Sequence, residues 1–145
     1  MNKLIYIYTD GACRGNPGPG GWGALLECEG YKKEIKGASQ LTTNNIMELK
    51  AVIESLKMIK NPSKIIVTTD STYVKNGINE WIHNWKLRDW KTANKKPVKN
   101  KELWIQLDEL VQKHKISWNW VKGHSGDPLN ELADSLANAA IDKKI

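Results

Sequence analysis

A carboxylate placed at the end of a strand-like apolar run is the feature that most constrains this fold. Leu4-Ile5-Tyr6-Ile7-Tyr8 is short, apolar and rich in β-formers, which predicts a strand buried on both faces. Asp10 follows at the end of that strand, where an ionised side chain is costly unless something pairs with it. The nearest base in sequence, Arg14, lies beyond the turn expected at Gly15-Asn16-Pro17-Gly18-Pro19-Gly20-Gly21. Asp10-Gly11 thus has two readings: the opening of that turn, or a cation ligand at the centre of a sheet. The second requires further carboxylates from elsewhere in the chain.

The remaining pattern says what elements could deliver them. Residues 22–28 and 31–36 read as two strands joined at Glu29-Gly30, an antiparallel hairpin continuing the first strand. Residues 40–45 are polar and turn-like. From Ile46 the apolar positions take helical spacing (Ile46, Leu49, Ile53, Leu56), and Asn61-Pro62-Ser63 stops that helix. Residues 64–69 form a β-branched strand, and 70–77 a short helix. Residues 81–90 carry aromatic and basic side chains at helical spacing, broken by Lys95-Lys96-Pro97. An amphipathic helix over 102–113 precedes a last strand over 116–121. Asp127 as N-cap and Pro128 at the first helical position open a helix that runs to about residue 143. A helix between the hairpin and the fourth strand makes a parallel crossover the natural topology, hence a mixed sheet with helices packed on it. At 145 residues the chain fits one domain.

Four acids stand out by position. Asp10 and Asp70 end strands, Glu48 lies in the first turns of its helix, and Asp134 sits on the shoulder of an apolar helical stripe. Each has an ordinary alternative. Glu48 three residues after Asn45 resembles a capping box, Asp70 could cap the helix after it, and Asp134 could be a solvated helix acid. Jointly they converge where the sheet meets its helices, and such a group cannot all stay ionised without a counter-charge. Oxygen-only donors select a hard cation such as Mg²⁺. His124, in a Gly-flanked loop just before the helix of Asp134, suits proton transfer at the edge of such a site.

Charge points to the partner. Lys and Arg number 22 against 16 Asp and Glu. Between residues 81 and 101 the bases Lys86, Arg88, Lys91, Lys95, Lys96, Lys99 and Lys101 face a lone acid, Asp89. Such clustering fits a polyanion, gripped through its phosphates in a salt-sensitive, sequence-neutral way. Trp81, Trp85 and Trp90, interleaved with those bases, either pack inward or join the grip. Cys13 and Cys28 show neither zinc spacing nor a disulfide framework, and no apolar run is long enough for a membrane span or signal core. A soluble cytoplasmic protein is expected.

The motifs Tyr8-Thr9-Asp10-Gly11, Gly15-Asn16-Pro17-Gly18, Thr42-Thr43-Asn44-Asn45-Ile46-Met47-Glu48, Thr69-Asp70-Ser71, Trp81-Ile82-His83-Asn84-Trp85, Lys95-Lys96-Pro97-Val98-Lys99-Asn100 and Val121-Lys122-Gly123-His124, then Asn130-Glu131 with Asp134, occur in one order. Together they resemble bacterial type 1 ribonuclease H over nearly the whole chain. The resemblance implies an α/β ribonuclease H-like fold, with a five-stranded mixed sheet of three antiparallel and two parallel strands flanked by helices. It implies a monomeric endonuclease that cleaves the RNA strand of RNA/DNA hybrids, leaving 5′-phosphate and 3′-hydroxyl ends. Asp10, Glu48, Asp70 and Asp134 would hold Mg²⁺, two ions per site with substrate bound and with Mn²⁺ as a substitute, and His124 would assist proton transfer or product release. Cys13, Gly15, Asn16 and Asn44 would line the hybrid groove, while Thr43 and Asn45 would meet the DNA strand. A basic protrusion at about 81–101 would contribute Trp81, Trp85, Lys86, Arg88, Trp90, Lys91, Lys95, Lys96, Lys99 and Asn100. Leu41, Thr72 and Leu87 depart from the family's usual Arg, Gln and basic residues, which predicts altered affinity with the chemistry kept. Two other readings remain open from sequence: a non-catalytic hybrid-binding module, and a related-fold nuclease acting on DNA.

Overall fold

The computed structural model describes residues 4–122 and 128–144. Its sheet has the order β3-β2-β1-β4-β5, in which β1 is Leu4–Cys13, β2 Gly18–Cys28, β3 Tyr31–Thr42, β4 Lys64–Thr69 and β5 Lys115–Trp120. The first three strands pair antiparallel, whereas β4 runs parallel to β1 and β5 parallel to β4. The mixed sheet therefore forms as expected. Glu29 and Gly30, both at positive φ, make the two-residue hairpin loop between Cys28 and Tyr31.

Three strand boundaries differ from the sequence reading, each for a physical reason. Strand β1 does not stop before Asp10. It continues to Cys13, with Asp10 opposite Gly23 on β2. Nor is its first half buried on both faces, since Leu4 and Tyr6 are 39% and 37% exposed while Ile7 is wholly covered. The glycine-rich stretch is only in part a turn: Gly18 to Gly23 lie within β2. A side chain at Gly21 would stand 2.3 Å from the Ala137 carbonyl, and one at Gly23 2.6 Å from that of Ala133. These glycines let a helix lie directly on the strand, a packing requirement that resembles a turn signal in sequence.

That helix is α5, Pro128–Lys144, whose Ala133, Ala137, Ala140 and Ile141 are buried against the β3-β2-β1 side of the sheet. Helix α1, Asn44–Lys57, is capped by the Thr43 hydroxyl, which accepts from the Ile46 N–H at 3.2 Å. It is sandwiched between the sheet and α4, Lys101–Lys113, and so buries residues all round its barrel rather than along one stripe.

The segment after β4 departs furthest from expectation. Helix α2, Thr72–Asn76, does not end at Gly77. It passes through a single π-helical turn, Gly77–Trp81, into α3, Ile82–Leu87. Trp104 of α4 fills the space where a Gly77 side chain would be, its ring 2.0 Å from that position. The expected helix to Trp90 stops at Leu87, and residues 88–100 form a turn-rich arm closed by a bridge between Lys91 and Pro97.

Candidate active site

Asp10, Glu48 and Asp70 come from β1, α1 and the end of β4, and Gly11 brings the first two together. A Cβ on Gly11 would fall 2.6 Å from the Glu48 nitrogen, so only glycine lets α1 approach β1 this closely. The Gly11 N–H donates to Asp10 Oδ1 at 2.9 Å and to Glu48 Oε1 at 2.7 Å. One carboxylate oxygen from each of Asp10, Glu48 and Asp70 lies within 4.8 Å of the others. Asp134, from α5, lines the same cleft of about 290 Å³ together with Asn44, Asn45, Ser71 and Tyr73. Its carboxylate is steadied from one helical turn away by the Asn138 amide at 3.4 Å.

The ordinary alternatives for Glu48 and Asp70 fail on geometry. Thr43 caps α1, leaving Glu48 free to face Asp10, and Ser71, not Asp70, caps α2 by accepting from the Val74 N–H at 3.1 Å. Burial pushes the Asp10 carboxyl far up, and the charges of Glu48 and Asp70 push it further. Burial raises Glu48 as well, against the lowering pull of its hydrogen bonds to Asp10 and the Gly11 N–H. No Lys or Arg is among the described residues lining the cleft. Glu48 Oε2 is buried without any hydrogen-bond partner. An all-oxygen set with an unmet buried acceptor and no internal counter-charge fits a divalent cation.

The other expected site residues divide by place. Asn16 and Asn44 are joined, the Asn44 N–H donating to Asn16 Oδ1 at 3.0 Å, beside the exposed Gly15. The Cys13 thiol lies 3.4 Å from the Thr42 carbonyl, on the same rim. In the arm, Trp81, Trp85 and Trp90 are half-buried and pack on the hydrophobic core, so their rings point inward. Tyr73, Trp81, Trp85 and the buried Trp104 form one aromatic cluster with ring centroids 5.3–5.7 Å apart. Lys86 pairs with Asp108 of α4 at 3.2 Å. Arg88, Lys91 and Lys95 are exposed around an open cavity of about 600 Å³, with Lys96 and Lys99 exposed alongside. Asn100 stands at φ 60°, its amide donating to the Tyr73 hydroxyl at 3.1 Å. His124, and Asp127 as the expected cap of α5, lie outside the described residues.

Gly11, Ser71 and Tyr73 line the cleft without having been singled out as site residues. A glycine directly after an acid inside an apolar strand was the available signal for Gly11. Nothing in the sequence marked Tyr73.

A mixed sheet whose carboxylates gather in one cleft beside a basic arm defines a divalent-metal enzyme acting on a polyanion. Comparison narrows that class. The RNase H family model matches residues 2–142. A Ribonuclease H of Hydrogenovibrio crunogenus is 62% identical over 139 residues, covering 96% of each chain. A Ribonuclease HI of Neisseria meningitidis is 58% identical over 138 residues, 95% of each. Among solved structures, LC9-RNase H1, a type 1 RNase H with the type 2 active-site motif, superposes with a TM-score of 0.89 at 32% identity, over 100% of this chain and 75% of that one. LC11-RNase H1 in complex with RNA/DNA hybrid gives 0.73 at 26% identity, over 97% and 98%. The chain belongs to the ribonuclease H family.

Proposed function

We propose that this protein hydrolyses the RNA strand of RNA/DNA hybrids, leaving 5′-phosphate and 3′-hydroxyl ends, as a monomer in the cytoplasm. The observation that carries this reading is the convergence of Asp10, Glu48 and Asp70 in a cleft whose buried Glu48 oxygen has no partner. Asp10, Glu48, Asp70 and Asp134 hold Mg²⁺, two ions when substrate is present, with Mn²⁺ able to substitute. Bound there, the metal supplies positive charge for the attacking water and for the departing 3′ oxygen. The chain's own groups do the rest. Gly11 orients two carboxylates through one N–H. Asn16, Asn44, Asn45, Thr43 and the backbone near Cys13 and Gly15 bind the hybrid's groove, where the 2′-hydroxyl distinguishes RNA from DNA. His124 moves a proton at the cleft's edge. One domain spans residues 1–145, and the arm at about 81–101 holds the duplex through Arg88, Lys91, Lys95, Lys96 and Lys99. Lys86, Trp81, Trp85, Trp90 and Asn100 set that arm's shape. No helix among the described residues is long and apolar enough to cross a membrane.

The test is direct. End-labelled RNA/DNA hybrid, double-stranded DNA and double-stranded RNA are each incubated with the protein in Mg²⁺, in Mn²⁺ and in EDTA. Cleavage of the hybrid's RNA strand alone, and only with metal, is expected. Intact RNA in every tube removes the enzyme reading, and equal cutting of duplex DNA removes the specificity.

A further inference from the structure

A second cavity, of about 420 Å³, adjoins the carboxylate cleft on the side of the β5 edge. Asp70, Ser71 and Thr72 line both cavities, so the two share a wall. Lys75, Trp120 and Lys122 line the far side of the second. Lys75 sits in the last turn of α2, whose start is fixed by the Ser71 cap. Lys122 is held next to the end of β4 because the Val121 N–H continues the parallel ladder, donating to the Thr69 carbonyl at 3.1 Å. Both lysines are exposed, and neither forms an ion pair with any described residue. Trp120 stacks on Trp118 with centroids 5.1 Å apart and planes 4° from parallel, which fixes its ring at the cavity wall.

We infer that this cavity is a phosphate subsite for the nucleic-acid backbone, an inference that rests on the hybrid-cleaving function proposed above. Two cations facing one carboxylate make it net positive, the reverse of the cleft beside it. A flat aromatic wall next to a cationic pocket is how backbone-tracking grooves meet a sugar or base while the phosphate is neutralised. The shared wall settles which strand enters. A strand whose phosphate lies over Asp70 runs on through the neighbouring cavity without leaving the surface, so the occupant is the strand that is cut, the RNA. The arm lies across the molecule's aromatic cluster from β5, so the cleft is flanked by cationic ground on two sides, only one of them legible as a charge run.

The test compares Lys75→Ala/Lys122→Ala with Lys32→Ala/Lys33→Ala, which removes the same charge around a separate cavity beside Ile5, near the start of β1. The first pair is expected to raise KM about 5-fold or more, leave kcat within twofold, and lower the salt slope of binding by about 1 to 2. The second pair is expected to change none of these. Hybrids shortened stepwise from either end of the RNA should lose the wild-type advantage from one end only, once the strand no longer fills the cavity. Equal KM and salt slope for the two pairs would overturn the subsite while leaving hybrid cleavage standing. If the wild type cuts no hybrid, the parent reading fails. Equilibrium binding of the same hybrids in EDTA then reports on the subsite independently: a weaker grip by the first pair alone supports it, and equal binding by both pairs overturns it.

Discussion

The carboxylate cleft and the basic arm solve opposite problems with the same chain. In the cleft, charges are taken inside: Asp10 and Glu48 are only 7% and 5% exposed, locked by one N–H and crowded by Asp70. In the arm, apolar rings are taken inside and charges are left in water, with Lys91, Lys95, Lys96 and Lys99 all exposed. Charges held apart from water act strongly and over short range, and they cost stability when unpaired. Exposed cations act weakly and additively, and screening by salt weakens them further. Chemistry therefore belongs to the first region and grip to the second, and each responds to substitution in its own way.

Asp10→Asn should break that contrast hardest. The neutral amide keeps the shape but loses a metal ligand, so kcat should fall by roughly 10³-fold or more, as several kcal/mol of transition-state stabilisation go. Without metal, the same variant should be more stable than the wild type, by on the order of 1 to 2 kcal/mol or about 2–8 °C in Tm, because a buried repelling charge is gone. Hybrid cleavage and a melt in EDTA read both effects. Retained turnover, or a lower melting temperature, would mean that the cleft stores no electrostatic strain.

Gly77→Ala probes the root of the arm and should have the opposite sign. The new methyl would fall on the Trp104 ring, which is fully buried and cannot swing aside. Overpacking of this kind costs about 1–3 kcal/mol, with the arm loosened from α4. Urea unfolding measures the loss, and kcat at saturating substrate should fall far less than KM rises.

Removing Lys95, Lys96 and Lys99 together, each to Ala, tests the grip. If each meets one phosphate, the slope of log K against log salt should fall by about 2 to 3. Turnover of bound substrate should hardly change. An unaltered slope would show that the arm's charge is only a solvated face.

The same contrast explains what could be read from sequence. Cleft residues are rare types in unusual places, such as an acid ending an apolar run, and so Asp10, Glu48, Asp70 and Asp134 all stood out. The order of strands and helices followed from periodicity and from the helix that must precede a parallel β4. Glycine deceived, because Gly21 and Gly23 serve the close approach of α5 while looking like turn residues. The arm's true shape was illegible for another reason. Whether Trp81, Trp85 and Trp90 face water or core is decided by Trp104, a residue of a separate helix, and local spacing carries no record of it.

The smallest expected effect separates burial that serves chemistry from burial that serves only packing. In the cleft, Glu48 is raised from 4.5 to about 7, so its contribution to folding is full below about pH 4.5 and is lost as pH rises through 7. His114, at the end of α4, runs the other way. Its Nδ1 accepts the Ser63 N–H at 3.1 Å, and its Nε2 is buried without a partner. Burial lowers it from 6.5, with the charge of Lys113 adding to the shift. A proton on Nδ1 would also have to displace the Ser63 bond. His114's contribution is therefore present above pH 6.5 and fades as pH falls below it. In EDTA, the stability difference between the wild type and His114→Gln should hold steady from pH 8 to about 7 and shrink towards pH 5. Denaturant midpoints across that range give the answer, and a difference independent of pH would mean that the ring accepts its proton as freely in the fold as in the unfolded chain.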